Sequence, residues 1–201
     1  MHSGAQPLAY SIIAIGASAG GLQAIGDILA KLPPTLACPV LVVIHLAPQF
    51  TSHAAAVLAR NTSLHVTQAR QDEVLRPGVV YIAPPDFHLN VENGAVRLTR
   101  SAVIHFSRPS VDSMLESVAS NYGKRAIAVI LTGSGSDGAE GLRAIKAAGG
   151  FTIVQDPNGA QFPAMPGAAV ATHCADRVLP LGEIGALLNE LGAKPGTMHA
   201  Q

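Results

Sequence analysis

Short runs of aliphatic residues alternate along this chain with stretches in which apolar residues recur every three or four positions. Continuous aliphatic runs are typical of strands buried on both faces, and the longer period is typical of helices with one apolar face. The runs predict strands at residues 12–15, 40–44, 64–67, 79–83, 126–131, 151–154 and 177–179, and the periodic stretches predict helices at 22–32, 52–60, 109–122, 139–148, 165–171 and 182–191. This alternation predicts the α/β class, with a doubly wound, mostly parallel sheet flanked by helices.

One segment departs from this alternation. Two strand-like segments, His88–Glu92 and Ala95–Thr99, flank the dipeptide Asn93-Gly94. Asn-Gly in this setting is the strongest short-range signal of a type I′ turn. We therefore predict an antiparallel β-hairpin near residues 88–99. After the hairpin, Pro109 is predicted to open the next helix and Gly123 to end it, since proline suits the first helical position and glycine the last.

The composition indicates one soluble domain without an electrostatic partner. A chain of 201 residues buries about 70% of its unfolded surface, so it needs neither disulfides nor metal to fold. We predict one folded domain at residues 11–193 between two tails, 1–10 and 194–201. The formal net charge is zero and only 13% of the residues are charged, which disfavours nucleic acid as a partner.

Cysteine usage and hydropathy predict a cytoplasmic location. Cys38 and Cys174 lie far apart in sequence and lack metal-ligand spacing, which is typical of free thiols in a reducing compartment. No basic, apolar leader is present at the start, and no apolar run approaches the roughly 18 residues of a membrane span. We therefore expect no membrane insertion.

Three residues with complementary chemistry each follow a predicted strand. Ser18 lies in the turn Gly-Ala-Ser-Ala-Gly-Gly, His45 directly follows the second strand, and Asp137 lies in the loop Gly-Ser-Gly-Ser-Asp-Gly. Because the carboxyl ends of parallel strands meet at one edge of a sheet, these side chains are expected to converge there. A hydroxyl, an imidazole and a carboxylate together are typical of a serine hydrolase.

Each residue taken singly has a plainer interpretation. Ser18 is also suited to cap the following helix, or its turn to bind phosphate, and Asp137 is also suited to cap the helix after it. For His45 taken alone, a core histidine with a hydrogen-bond partner is the favoured interpretation. The coincidence of all three types after predicted strands is what favours catalysis. Chain order does not decide the matter, because triads are recognised by roles.

Metal and cofactor sites find little support in the sequence. His45, His53, His88 and His105 could in principle converge, but no pair of histidines or cysteines has the spacing of a metal site. We therefore predict neither a metal nor a cofactor. Arg108 could bind a carboxylate as a bidentate fork, although a solvent-facing arginine fits its position equally well.

A set of short motifs runs in order from residue 15 to residue 166, within a match that extends over about residues 12–184. They are Ile-Gly-Ala-Ser-Ala-Gly-Gly at 15–21, His45, Pro-Gly-Val-Val-Tyr-Ile-Ala-Pro at 77–84, His-Leu at 88–89, Arg-Pro-Ser-Val-Asp at 108–112, Leu-Thr-Gly at 131–133, Gly135, Asp-Gly-Ala at 137–139, Gly-Leu at 141–142 and Met-Pro at 165–166. In these motifs the chain resembles the catalytic domains of the chemotaxis receptor methylesterases, the CheB type. The resemblance implies that Ser18, His45 and Asp137 form a catalytic triad, the same three residues that the strand pattern selects.

The implied reaction is hydrolysis of glutamate γ-methyl esters on the cytoplasmic helices of chemoreceptors, with deamidation of particular glutamines as a second activity. We expect backbone N–H groups near Ala19 and Ser134 to form the oxyanion hole, and Arg108 and Met165 to contact substrate. Ala19 stands where the family usually has threonine, and Ser134 where it usually has methionine. Typical members also carry an N-terminal receiver domain. Only about ten residues precede the first strand here, so we expect a domain without that lid. Such a domain is constitutive, regulated by a separate protein, or excised from a larger fusion.

Other functions remain open at this point. One is a non-catalytic signalling adaptor with the same fold, and another is an esterase acting on a different protein or small-molecule ester. Nucleotide binding at the turn before residue 21 is disfavoured, because the second strand is followed by His-Leu-Ala-Pro at 45–48 and not by the acidic residue that would hold a ribose.

Overall fold

The computed structural model describes residues 10–45, 53–103 and 107–193. The strands are β1 (Ile12–Ala17), β2 (Val40–Ile44), β3 (His65–Gln68), β4 (Val79–Ile82), β5 (His88–Glu92), β6 (Ala95–Thr99), β7 (Ala126–Ile130), β8 (Phe151–Gln155) and β9 (Arg177–Leu179). The helices are α1 (Gly21–Leu29), α2 (Ala54–Leu58), α3 (Val111–Tyr122), α4 (Ala139–Ala147), α5 (Ala164–Ala171) and α6 (Leu181–Gly192). Single 3₁₀ turns at Ala59–Asn61, Gly123–Arg125 and Pro157–Gly159 complete the secondary structure of the described residues. The predicted tails, 1–10 and 194–201, lie almost wholly outside them.

Seven of the nine described strands form one parallel sheet with the order β3-β4-β2-β1-β7-β8-β9, and β5 and β6 pair with each other as a separate antiparallel sheet. The chain builds outward from β1 toward β2 and β4, and later from β7 toward β8 and β9. The order therefore reverses between β1 and β7, which is where open α/β sheets place their ligand crevices. The predicted fold class, a doubly wound and mostly parallel sheet, is confirmed.

Side chains alternate between the two faces of the sheet, and each face is covered by helices. In β1, Ile13 and Ile15 pack with α1, α2 and α6, while Ile12 and Ala14 pack with α3, α4 and the β5–β6 hairpin. Because the central strands are buried on both faces, their sequences are continuously aliphatic. Both core layers are nearly free of charged side chains, and the two buried aspartates, Asp112 and Asp137, lie near the carboxyl ends of β1 and β7.

The predicted hairpin is confirmed, including its turn. Asn93 and Gly94 have φ values of 50° and 78°, as a type I′ turn requires at both central positions. The hairpin packs against α3, where the Ser117 hydroxyl accepts a hydrogen bond from the Val91 amide at 3.1 Å. This packing brings His88, at the start of β5, to the N-terminal end of α3.

The start of α3 differs from the prediction. Pro109 lies before the helix and not at its first position; Ser110 is the N-cap, and its side chain accepts a hydrogen bond from the Ser113 amide. A serine hydroxyl can satisfy a free N–H at a helix start, which proline cannot do, so the cap decides the boundary. Gly123 is the C-terminal cap, as predicted. The predicted helix at 52–60 is a short α-helix followed by a 3₁₀ turn, and residue 52 lies outside the described residues.

Close packing at Gly16 sets the position of α3 relative to the sheet. An ideal Cβ on Gly16 would lie 2.3 Å from Val111 Cγ1, so only glycine lets the first residue of α3 contact the carboxyl end of β1. This contact places the N-terminus of α3 beside the loops that follow β1 and β7. No helix in the described ranges combines the length and apolar character needed to cross a membrane.

Candidate functional site

Ser18 and His45 are neighbours across the carboxyl ends of β1 and β2. The strands are in register with Ala17 opposite Ile44, so the next residues, Ser18 and His45, face each other just beyond the paired ends. The His45 amide donates to the Ala17 carbonyl at 3.3 Å, and the Ser18 amide donates to the Thr132 carbonyl after β7 at 3.0 Å. Parallel strands lie about 4.8 Å apart, so the sheet brings the two predicted catalytic residues together.

Asp137 completes the group. His45 Nε2 lies 2.8 Å from Asp137 Oδ2, and the two side chains are 18% and 3% exposed. Because the carboxylate can only accept, Nε2 carries the proton, and Nδ1 is the basic nitrogen when the ring is neutral. The structure thus brings Ser18, His45 and Asp137 to one edge of the sheet, as the strand pattern predicted.

The Asp137 carboxylate is bound by the N-terminus of α3. Its Oδ1 accepts from the Ser110 hydroxyl at 2.9 Å and from the Asp112 amide at 2.9 Å. Its Oδ2 accepts from the Val111 amide at 2.8 Å, in addition to His45. Both oxygens therefore have two donors, and the positive end of the helix dipole faces the negative charge. Asp137 does cap a helix, but that helix is α3 and not α4; the N-cap of α4 is Gly138, with φ 97°.

The charge of Asp137 is stable because of these bonds. Burial alone would raise the pKa of Asp137, but the hydrogen bonds from His45 and from the amides of Asp112 and Val111 lower it to about 2. Asp137 is therefore an anion across the physiological pH range. A permanent anion beside Nε2 fixes the tautomer of the neutral His45 ring.

A second buried carboxylate, Asp112, binds the loop that carries Asp137. Its Oδ1 accepts from the amides of Gly138 and Gly141 at the start of α4, at 2.9 and 2.7 Å. Asp137 thus binds the N-terminus of α3, which contains Asp112, and Asp112 binds the N-terminus of α4, which follows Asp137. Burial raises the pKa of Asp112 to about 6, since the two amide bonds do not compensate for lost water and the Asp137 charge adds to the penalty.

The Ser18 hydroxyl opens onto a groove. The N-cap of α1 is Gly20 in a left-handed conformation and no side chain caps this helix, so the capping interpretation of Ser18 is wrong. No hydrogen bond of the hydroxyl to another described residue is present. The groove has a volume of about 640 Å³ and is bounded by Ser18, His45, α1 and α2, with Gln23, Asp27 and Asn61 as its polar residues.

The predicted oxyanion residues lie in two loops that meet beside Ser18. An ideal Cβ on Gly133 would lie 2.7 Å from Ser18 Cβ, so the loop after β7 touches the serine through its backbone. Within the described residues the amides of Ala19 and Ser134 donate to no acceptor, whereas the Gly133 amide donates to the Phe162 carbonyl. Free amides on both sides of a serine suit an oxyanion. Their role stays a prediction.

Met165 and Arg108 both make contacts within this chain: Met165 is buried under a loop, and Arg108 is paired with Asp86. Met165 is 1% exposed, and its sulfur lies 2.6 Å from the position of an ideal Gly133 Cβ, so it forms the floor under the loop. Arg108 donates through Nε to Asp86 Oδ1 at 2.9 Å and through Nη1 to the Ser101 carbonyl at 2.9 Å. Its fork therefore binds a carboxylate of this chain, and the Arg108 hydrogen bond holds the pKa of Asp86 below its usual value.

The histidines considered as metal ligands have separate partners. His45 binds Asp137, while His88 is fully buried and binds the Ser110 amide and the Ala102 carbonyl. His53 is exposed before α2, and His105 lies outside the described residues. Within residues 10–45, 53–103 and 107–193, no three His, Cys, Asp or Glu side chains group as a metal site would.

Sequence reasoning gave no role to Ser110 and Asp112 and considered His88 only as a metal ligand. The motif Arg-Pro-Ser-Val-Asp at 108–112 contained a signal, because a serine just before a helical stripe is a favoured N-cap. Asp112, in the first turn of α3, is buried at 2% exposure. A carboxylate at that depth requires partners, but the sequence does not say which.

The fold and the site define the class of this protein: a doubly wound α/β domain with a serine and a histidine–carboxylate pair at the switch point of its sheet. The chain belongs to the CheB methylesterase family, whose model matches residues 13–188. A crystal structure of the Thermotoga maritima CheB methylesterase catalytic domain superposes with a TM-score of 0.86 at 39% identity, covering 90% of this chain and 98% of that one.

Curated relatives agree with this assignment. The chain is 44% identical over 180 residues to protein-glutamate methylesterase/protein-glutamine glutaminase 2 of Anaeromyxobacter dehalogenans, covering 90% of this chain and 53% of that protein. It is 40% identical to protein-glutamate methylesterase FrzG of Myxococcus xanthus, covering 90% of this chain and 55% of the relative. A putative enzyme of the same name from Leptospira interrogans is 37% identical, with 90% and 95% covered. The chain thus spans about half the length of the first two relatives and nearly all of the third.

Proposed function

We propose that this protein is a serine esterase that hydrolyses glutamate γ-methyl esters on the cytoplasmic helices of chemoreceptors. Ser18 is the nucleophile, His45 the general base and Asp137 the residue that orients the imidazole. The observation that carries the proposal is the 2.8 Å His45–Asp137 pair beside Ser18 at the wall of an open groove. Membership of the methylesterase family supports the choice of ester.

Acylation follows from the orientation of His45. Because Nε2 donates to Asp137, Nδ1 accepts the proton of the Ser18 hydroxyl as its oxygen attacks the ester carbonyl. The C–O bond to the methoxy group then breaks, and the proton on Nδ1 passes to that oxygen. Methanol leaves, and the γ-carbonyl is bound to Ser18 as an acyl ester.

Deacylation repeats the same steps with water. Nδ1 of His45 takes a proton from water as its oxygen attacks the acyl carbonyl, and the Ser18–acyl bond breaks. The proton returns to the Ser18 oxygen, and the free γ-carboxylic acid ionises to glutamate. A γ-amide attacked in the same way would lose ammonia in place of methanol, which is the proposed second activity on glutamine.

The oxyanion of both tetrahedral intermediates lies between the two loops beside Ser18. The free amides of Ala19 and Ser134 are the proposed donors, since neither donates to another described residue. A backbone donor does not depend on its own side chain, so alanine and serine are compatible with this role at the two positions. A removed oxyanion donor typically costs about 100- to 1000-fold in kcat.

The proposed setting is cytoplasmic, with chemoreceptor helices as the partner and a separate protein as the regulator. We place the catalytic domain at residues 11–193. The groove supports a peptide substrate, since it is open, about 640 Å³ in volume and bounded by two helices. Arg108 and Met165 are proposed to act on substrate only indirectly, through the Asp86 pair and the Gly133 loop.

The direct test measures methanol release from a methylated chemoreceptor cytoplasmic fragment by this protein, its Ser18→Ala variant and a control, Ser120→Ala. Ser120 lies on α3, where its hydroxyl donates to the Glu116 carbonyl. We expect release by the wild type and by Ser120→Ala, and none above background by Ser18→Ala. Equal release by Ser18→Ala would overturn the assignment of the nucleophile, and no release by the wild type would overturn the substrate.

A further inference from the structure

His88 is a buried titratable residue that the reaction above does not use. It is fully buried at the start of β5, between the hairpin and the N-terminus of α3. Both of its nitrogens are hydrogen-bonded: Nδ1 faces the Ser110 amide at 3.2 Å, and Nε2 faces the Ala102 carbonyl at 3.1 Å. Because an amide can only donate and a carbonyl can only accept, Nδ1 is the acceptor and Nε2 carries the proton.

A chain of buried hydrogen bonds leads from His88 to the orienting carboxylate. His88 Nδ1 binds the amide of Ser110, and the hydroxyl of the same serine donates to Asp137 Oδ1 at 2.9 Å. The hydroxyl also accepts from the Ser113 amide at 3.4 Å. That bond supplies a proton from the other side, so the single hydroxyl proton of Ser110 is directed at the carboxylate.

Ser110 is thus held at its backbone by His88 and holds Asp137 by its side chain. The two bonds to Oδ1 and the Val111 amide on Oδ2 determine the plane of the carboxylate. In that plane the remaining side of Oδ2 points at His45. A displacement of Ser110 rotates the carboxylate and with it the imidazole of the base.

We propose that His88 is a positioning residue for the esterase reaction, acting through Ser110 to fix the Asp137 carboxylate and thereby His45. The inference rests on the proposed function, because it assumes that His45 is the base. Its active atom is Nδ1, the acceptor for the Ser110 amide. The bond from Nε2 to Ala102 is structural and has no part in catalysis.

Two substitutions separate the two nitrogens. In His88→Asn the amide oxygen can occupy the place of Nδ1, while the bond to Ala102 is lost. In His88→Gln the longer amide reaches the place of Nε2 and can keep the Ala102 bond, while the Ser110 amide loses its acceptor. Each variant gives up one buried hydrogen bond, so the two are matched for stability, which is measured by thermal unfolding.

We expect His88→Gln to lower kcat for methanol release about 10- to 100-fold at unchanged KM, because a base displaced by a fraction of an ångström loses this much. His88→Asn should stay within about threefold of the wild type. In a protein that already carries Asp137→Ala, adding either His88 substitution should change the residual rate of methanol release little, because the carboxylate on which His88 acts is absent. Equal losses in the two variants, or a full His88→Gln effect without Asp137, would overturn the proposal.

A second pair of variants serves if a His88 variant does not fold. Ser110→Ala removes the hydroxyl that reaches Asp137, whereas Ser113→Ala removes a neighbouring hydroxyl that is hydrogen-bonded to the side-chain amide of Asn90. Only Ser110→Ala should lower kcat; equal rates in both would overturn the proposal. Ser18→Ala in the same assay separates the two hypotheses. If Ser18→Ala still releases methanol at the full rate, the esterase mechanism itself is refuted. If Ser18→Ala releases none while His88→Asn and His88→Gln have equal rates, only the role of His88 is refuted.

Discussion

The two halves of the site are built differently. On one side, Asp137 is 3% exposed and receives four hydrogen bonds, three of them from the start of α3. On the other, the Ser18 hydroxyl opens onto a groove and forms no hydrogen bond with another described residue. The Asp137 carboxylate is buried away from water and hydrogen-bonded through both oxygens, whereas the Ser18 hydroxyl lies where a substrate can reach it. The first side should therefore affect stability as well as rate, and the second should affect rate alone.

The largest expected effect is on the nucleophile. Ser18→Ala should lower turnover by about four orders of magnitude or more, while the melting temperature shifts by no more than a few degrees, because the hydroxyl contributes no hydrogen bond to the described fold. Methanol release and calorimetry on the same sample measure both. A large fall in melting temperature would mean that Ser18 belongs to the structural half of the site.

Asp137→Ala should affect both properties. Removing the carboxylate frees His45 to rotate, and we expect kcat to fall by about 10³- to 10⁴-fold. It also leaves the Val111 and Asp112 amides without acceptors, which should lower the free energy of unfolding by about 3 kcal/mol. Urea unfolding at pH 7 measures this loss. Unchanged stability would contradict the role of Asp137 as the partner of the α3 N-terminus.

The contribution of Asp112 to folding stability should depend on pH with the opposite sign to that of Asp137. Its pKa is raised from 3.8 to about 6 in the folded protein, so between these values the folded state binds more protons than the unfolded state. Stability from this group therefore falls as the pH rises through that window, by up to about 3 kcal/mol. The pKa of Asp137 is lowered from 3.8 to about 2, so the stability that this group contributes is lost as the pH falls below about 4.

The variant Asp112→Asn tests this sign, because its side-chain oxygen can still accept from Gly138 and Gly141. Relative to this variant, the wild type should lose stability between about pH 4 and pH 6 and should differ little in slope above pH 7. Unfolding midpoints in urea at four pH values give the comparison. Parallel curves for the two proteins would show that Asp112 does not titrate in this range.

The smallest expected effect comes from the loop that touches Ser18. Gly133→Ala would place a Cβ 2.7 Å from Ser18 Cβ and 2.6 Å from the Met165 sulfur, so the loop or the methionine must move. We expect a loss of about 1–3 kcal/mol in stability and about a tenfold loss in kcat. Gly167→Ala in α5, where a Cβ meets nothing within 4 Å, is the matched control and should stabilise the helix slightly. Equal kinetics in both variants would show that the loop tolerates displacement.

Much of the site could be predicted because its main residues follow strands. Aliphatic runs identified β1, β2 and β7, and parallel pairing obliges Ser18, His45 and the loop of Asp137 to meet at one edge. The hairpin turn was equally local, since Asn93-Gly94 specifies its own backbone conformation. The predicted start of α3 was wrong because two local signals are adjacent there. Proline at 109 suits a first helical position, but the Ser110 side chain caps the helix and determines where it begins.

The alternation of strands and helices, the hairpin and the three residues of complementary chemistry could be predicted from the amino-acid sequence alone. Each depends on side chains that are near in sequence or on the period of a single element. Tertiary structure decided which helix binds Asp137, that Asp112 caps α4 in return, that Arg108 pairs with Asp86, and that His88 lies behind Ser110. These contacts join residues 22–29 positions apart in sequence. They exist only because the sheet and the hairpin bring the N-terminal ends of α3 and α4 together. At the buried contacts among them, each polar group must find a partner.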